Sequence, residues 1–95
     1  MTLAVNVVNT IHTRGSVREA GAWAWKTGNH PVRPAHRIVA HENGLWRGEF
    51  TSASGGRVDG NGRRIFDDLV EVEQTYPVDM RTLLGPSRNP VRRLA

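Results

Sequence analysis

Histidines and arginines are the residue types in this chain that could carry chemistry. The histidines are His12, His30, His36 and His41. A zinc site wants three or four ligands at tight spacing, usually with pairs on one face. There is no cysteine and no His-x-x-x-His pair, and His36 and His41 are five positions apart, on opposite faces if both lie on a strand. A metal-free ribonuclease would instead use two histidines as general base and acid beside a cation. His36, His41, Arg37 and Arg47 would have to converge across a hairpin to do that. Neighbouring His and Arg on strands more often face solvent with no joint role, so the expectation is a non-enzyme.

Two glycine-bearing stretches invite ligand readings and fail them. Asp59-Gly60-Asn61-Gly62 starts like a calcium loop, but Arg63 falls at the third ligand position and Val70 at the twelfth, where a Glu is needed. It reads as a turn. Gly55-Gly56 through Gly62 lacks the Gly-Lys-Ser/Thr of a phosphate loop. No metal or cofactor is expected.

Arginine outnumbers lysine twelve to one, with net charge +4 and a pI near 11.0. A planar bidentate fork suits phosphates and carboxylates. GC-rich coding also favours Arg over Lys, and most of the twelve are scattered. The clustered ones are Arg57, Arg63 and Arg64, and Arg88, Arg92 and Arg93 near the end. With Trp46 they are the candidate interface or anion-binding residues. Trp23, Trp25 and Trp46 are many tryptophans for this length; two at least should be core, leaving one as an interface anchor or base-stacking platform.

Charge is also ordered along the chain. Residues 26–64 hold seven bases against three acids; 65–79 hold five acids and no base (Asp67, Asp68, Glu71, Glu73, Asp79); from Met80 onward there are four arginines and no acid. That order suits a chain contacting its own copies head to tail. It equally suits a domain neutralising its own basic face.

The elements that must position these residues are short. Leu3 to Thr13 is β-branched, and Leu3, Val5 and Val7 alternate with smaller or polar residues as in a half-buried strand, with a phase slip at Val7-Val8. Ser16 and Glu19 form a capping box for a short helix, which gives way to extended chain at Ala22-Trp23-Ala24-Trp25. Pro31 and Pro34 make 28–35 a loop. The clearest signal is a hairpin over 36–51 turning at Asn43-Gly44, with Trp46 and Phe50 on one face and Leu45 and Arg47 on the other. Ser52 to Gly62 reads as an exposed loop or mobile hairpin tip. Asp67 to Thr75 reads as a strand with Leu69, Val70 and Val72 inward. Asp79 to Leu84 reads as a turn or two of helix stopped by Gly85-Pro86.

Ninety-five residues make one domain near the lower limit of independent folding. The expected fold is mainly β: a small sheet or partly open barrel built on the 36–51 hairpin, with one or two short helices and an extended C-terminal tail. Residues 1–85 form the domain and 86–95 a basic tail, disordered when alone. Small cores lean on disulfides, metals or partner subunits; cysteine is absent, so subunits are favoured. No apolar run approaches the roughly 20 residues of a membrane span, and the N-terminus lacks a signal-peptide pattern. Localisation is therefore expected to be cytoplasmic or within an assembled particle.

The expected function is a non-enzymatic structural or assembly protein that packs with its own copies or other subunits through loop and tail. A virion connector, decoration or tail protein is a concrete version. The alternative is a small basic nucleic-acid-binding accessory protein, and behind it the histidine-dependent ribonuclease.

Overall fold

Asn43 and Gly44 take φ values of 48° and 93° and close the expected hairpin with a tight turn. The computed structural model describes residues 2–9, 16–17, 25–26, 36–60, 62–85 and 91–94. Within these, β1 is Thr2–Asn6, β2 Trp25–Lys26, β3 Arg37–Glu42, β4 Leu45–Thr51, β5 Arg57–Val58, β6 Arg63–Ile65, β7 Val70–Glu71 and β8 Val91–Leu94, with one short helix, α1, at Arg81–Leu84. The fold is mainly β.

Five strands form the main sheet in the order β7-β4-β3-β1-β8. Only β1 and β3 run parallel; the other neighbours are antiparallel. A second sheet has the order β2-β6-β5. Trp25–Lys26 is extended, as the alternation there predicts; the expected helix from Ser16, Trp23 and the loop 28–35 lie largely outside the described residues.

Both faces of the main sheet are covered. One carries Leu3, Val5, Val7, Ile38, Ala40, Phe50, Phe66, Leu69 and Val91. The other carries Ala4, Val39, Met80 and Leu84, with Trp46, Tyr76 and Leu94 packed against them. The half-buried strand expected at the N-terminus is therefore corrected: Leu3, Ala4 and Val5 are all buried, because the chain from Tyr76 through α1 covers the face that alternation assigned to solvent. The strand also ends at Asn6, well short of Thr13. Val7 leaves it but stays in the core, its N–H donating to the His41 carbonyl at 2.8 Å.

The hairpin faces need a second correction. Ala40 pairs with Gly48, but His41 pairs with Trp46, so Arg47 is an extra residue on β4. One inserted residue inverts the facing of everything beyond it. Trp46 thus packs with Met80 and Leu84 on one side, while Phe50 packs with Leu3 and Ile38 on the other.

Residues 67–75 are strand only at Val70–Glu71, and Val70 points outward at 61% exposure. The remainder follows β4 more loosely. The Val72 N–H donates to the Glu49 carbonyl (3.0 Å), the Trp46 N–H to the Val78 carbonyl (2.8 Å) and the Met80 N–H to the Gly44 carbonyl (2.7 Å). Met80 is thereby drawn into the core. The Asp79 side chain accepts the Arg81 N–H at 3.0 Å, and Gly85 (φ 67°) ends α1, matching the expected helical turn.

The expectation of a disordered tail is corrected for its described residues, 91–94. Val91–Leu94 pair antiparallel with β1, from Val5↔Val91 to Thr2↔Leu94. Val91 and Leu94 supply apolar contact on opposite faces, so the chain's own sheet holds this segment.

Candidate interaction edges and the buried polar sites

Of the seven residues singled out for anion or partner binding, the six that are described do not form one patch. Arg64 is 4% exposed, and its Nη1 donates to the carbonyls of Gly55 (3.0 Å) and Gly56 (3.1 Å). It serves as internal scaffolding for the 52–57 bend. Gly56 sits at φ 85° beside it, where a Cβ would run into the Phe66 ring and the Arg64 stem. Arg57 is exposed and paired with Asp67 at 2.6 Å. That pair raises the Arg57 pKa further, through its hydrogen bond and then its charge. Arg63 is exposed beside the Asp59 turn, its backbone N–H donating to Asp59 Oδ1 at 2.9 Å. Trp46 is half-buried and donates its indole N–H to Glu49 Oε1 at 3.0 Å, so it is core. Arg92 and Arg93 lie on β8, Arg92 half-buried and Arg93 exposed. Arg88 lies outside the described residues.

The catalytic grouping does not assemble between His36 and His41. They sit at opposite ends of β3, roughly 16 Å apart by strand rise. His36 is the residue before the strand, and its Nδ1–H donates to the Ser52 carbonyl at 3.0 Å. His41 is buried, and its Nδ1 accepts the Gly44 N–H at 2.9 Å, which stabilises the neutral ring and fixes the proton on Nε2. Burial lowers its pKa. Arg47 pairs with Glu42 at 3.3 Å, and Arg37 turns to Glu49.

Sequence reading missed Glu49, which organises the second face. Its carboxylate is fully buried and collects five donors. The Thr75 N–H (2.7 Å), Tyr76 N–H (2.8 Å) and Trp46 Nε1 (3.0 Å) reach Oε1, while the Thr75 hydroxyl (2.7 Å) and Arg37 Nη2 (2.9 Å) reach Oε2. Burial alone would raise its pKa. The donors from Tyr76, Thr75 and Arg37 override that and bring it down to about 2. Four of the five donors come from residues 12 or more positions away, and the fifth, Trp46, reaches Glu49 across the bulge, so no local pattern marks this glutamate.

A smaller polar site ties the 52–56 bend to the segment between β6 and β7. Ser52, 2% exposed, donates to Asp68 Oδ1 at 2.6 Å and accepts the Gly55 N–H at 3.0 Å. Asp68 Oδ2 takes the Ser54 N–H at 2.9 Å, and these bonds lower the Asp68 pKa. Ser52 to Gly62, expected to be an exposed loop or a mobile hairpin tip, is a bend leading into the β5–β6 hairpin, with Ala53, Ser54, Arg57, Val58, Gly60 and Gly62 exposed. The Asp59–Gly62 turn closes that hairpin through Gly62 N–H to Asp59 C=O at 3.1 Å.

Among the described residues the main sheet ends in two terminal strands. One is β7 with its acidic flanks; the other is β8 with Arg92 and Arg93. Among the described residues no three His, Asp or Glu side chains group as a metal site, and no helix is long and apolar enough to cross a membrane. Comparisons with protein families, with curated proteins and with solved structures find no match to this chain.

Proposed function

We propose that this chain is a non-enzymatic assembly protein that packs with copies of itself or with other subunits, as a connector, decoration or tail component of a particle would, in a cytoplasm or within the particle. The observation that carries this reading is the placement of charge on the main sheet. The acid-rich stretch 67–79 includes one terminal strand, β7, and the acid-free stretch after Met80 includes the other, β8. Terminal strands present backbone donors and acceptors ready for another chain, which natural sheets usually blunt. Here the blunting is by opposite charges at the two ends, which disfavours like edges and favours unlike ones. Exposed apolar side chains support the same reading: Val70 on β7, and Leu45, Val78 and Leu83 near the β3–β4 turn and α1.

The second reading, nucleic-acid binding, rests on Arg57, Arg63, Arg92 and Arg93. Arg64 is spent on backbone carbonyls and Arg57 on Asp67, which weakens it. Sedimentation of the full chain across a concentration series, with an oligonucleotide titration at several salt concentrations, separates the two. The assembly reading expects mass to rise with concentration, or a stable complex with a companion subunit. A monomer that instead binds oligonucleotide with a steep salt dependence overturns it.

A further inference from the structure

We infer that the partner of the β8 edge is the β7 edge of a second copy, joined head to tail in one register that sets Arg93 opposite Glu71 and Leu94 opposite Val70. The inference rests on the assembly reading and names its interface.

Strand direction allows the junction. β3 runs parallel to β1, β4 antiparallel to β3, and β7 antiparallel to β4, so β7 points the same way as β1. β8 is antiparallel to β1 and so points opposite to β7. A second copy placed beside the first in the same orientation therefore meets β8 with an antiparallel β7, and the sheet continues. β7 and β8 are the terminal strands of the sheet among the described residues.

Side-chain facing then selects the register. Glu71 pairs with Phe50 and shares its face of the sheet, while Val70 pairs with Thr51 on the other. Arg93 pairs with Leu3, on the same face as Phe50, and Leu94 pairs with Thr2 on the face of Ala4 and Val39. Continuing both faces puts Glu71 opposite either Arg93 or Val91. With Arg93, an ion pair forms on one face and an apolar pair, Val70 with Leu94, on the other. With Val91, the glutamate meets valine and Val70 meets Arg92. The first alternative matches charge and hydropathy at both positions, and directly opposed side chains are the unit of sheet stabilisation. Pairing two β8 edges would instead bring Arg92 and Arg93 of both copies together. Because the junction is heterologous, repetition gives a ring or a filament according to sheet twist.

Charge reversal on the full chain tests this. Glu71→Arg or Arg93→Glu alone should weaken self-association by about tenfold. Mixing the two variants, or combining both substitutions in one chain, should restore it. Both side chains are exposed, and circular dichroism checks that each variant keeps its sheet. Geometry is tested separately: a Val70→Cys chain mixed with a Leu94→Cys chain should yield the mixed disulfide dimer under mild oxidation, in preference to either homodimer. Leu94→Cys homodimers would show β8 meeting β8 and overturn the proposal. Self-association that ignores both reversals would leave the assembly reading standing and overturn this interface. A chain monomeric at every concentration overturns the interface too, and binding to a different subunit would then keep the assembly reading.

Discussion

The Tyr76 N–H donates to Glu49 Oε1 at 2.8 Å, joining residues 27 positions apart. That bond and the two from Thr75 hold the 72–80 segment against β4, and the same segment delivers Met80 to the second core. A buried charge is tolerable only when it is fully hydrogen-bonded, and this one is.

Glu49→Gln should therefore cost more than an exposed substitution. Whichever way the amide turns, its NH2 meets a donor, the Thr75 and Tyr76 N–H groups at one position or the Arg37 guanidinium at the other, and Arg37 loses its carboxylate. Loss of about 2–4 kcal/mol is expected, read as a lower midpoint in urea unfolding. Circular dichroism should show the sheet retained. A change under 0.5 kcal/mol would mean the carboxylate network contributes little.

The same group sets an acid limb of stability. Its folded pKa is about 2 against 4.5 as an ordinary value, so the folded state binds fewer protons than the unfolded state between these limits. Stability from Glu49 is then complete above pH 4.5 and is lost as pH falls toward 2, amounting to about 3 kcal/mol. Urea titrations from pH 6 to 2 should show this loss, and Glu49→Gln should flatten it.

His41 acts in a higher window. Burial lowers its pKa below 6.5, so the unfolded state takes up the proton first. Stability should be insensitive to this group above pH 6.5 and decline as pH falls below it. The imidazole should remain neutral in NMR titrations of the folded chain at pH values where a free histidine is charged. His41→Asn should reduce the decline between pH 6.5 and 5.

Gly44→Ala should destabilise the chain by about 1–3 kcal/mol. Gly44 has φ 93°, and a Cβ there would overlap the Arg81 side chain packed on the turn. Thermal unfolding measures the effect, and Asn43→Ala, at φ 48°, should show a smaller one.

Local chemistry made part of this fold legible. Asn43-Gly44 needs positive φ at two consecutive positions, which those residues accept cheaply, and the hairpin follows. Gly85 stops α1 for the same kind of reason, and the Asp59–Gly62 turn was readable from its residues. The charge order along the chain was legible too, because it is a property of sequence. Tertiary structure decided what those charges do. Arg64 turned inward because bare carbonyls at Gly55 and Gly56 lay within its reach, and Glu49 was buried because Thr75, Tyr76 and Arg37 converge on it from distant positions. The Arg47 bulge separated Trp46 from Phe50 through a pairing that period-2 counting within one strand does not register. Val91–Leu94 became a strand because β1 offered it an open edge and two apolar faces; its own composition promised neither. The basic and acidic segments came to opposite ends of one sheet by strand order, a long-range pairing that no local pattern within either segment encodes.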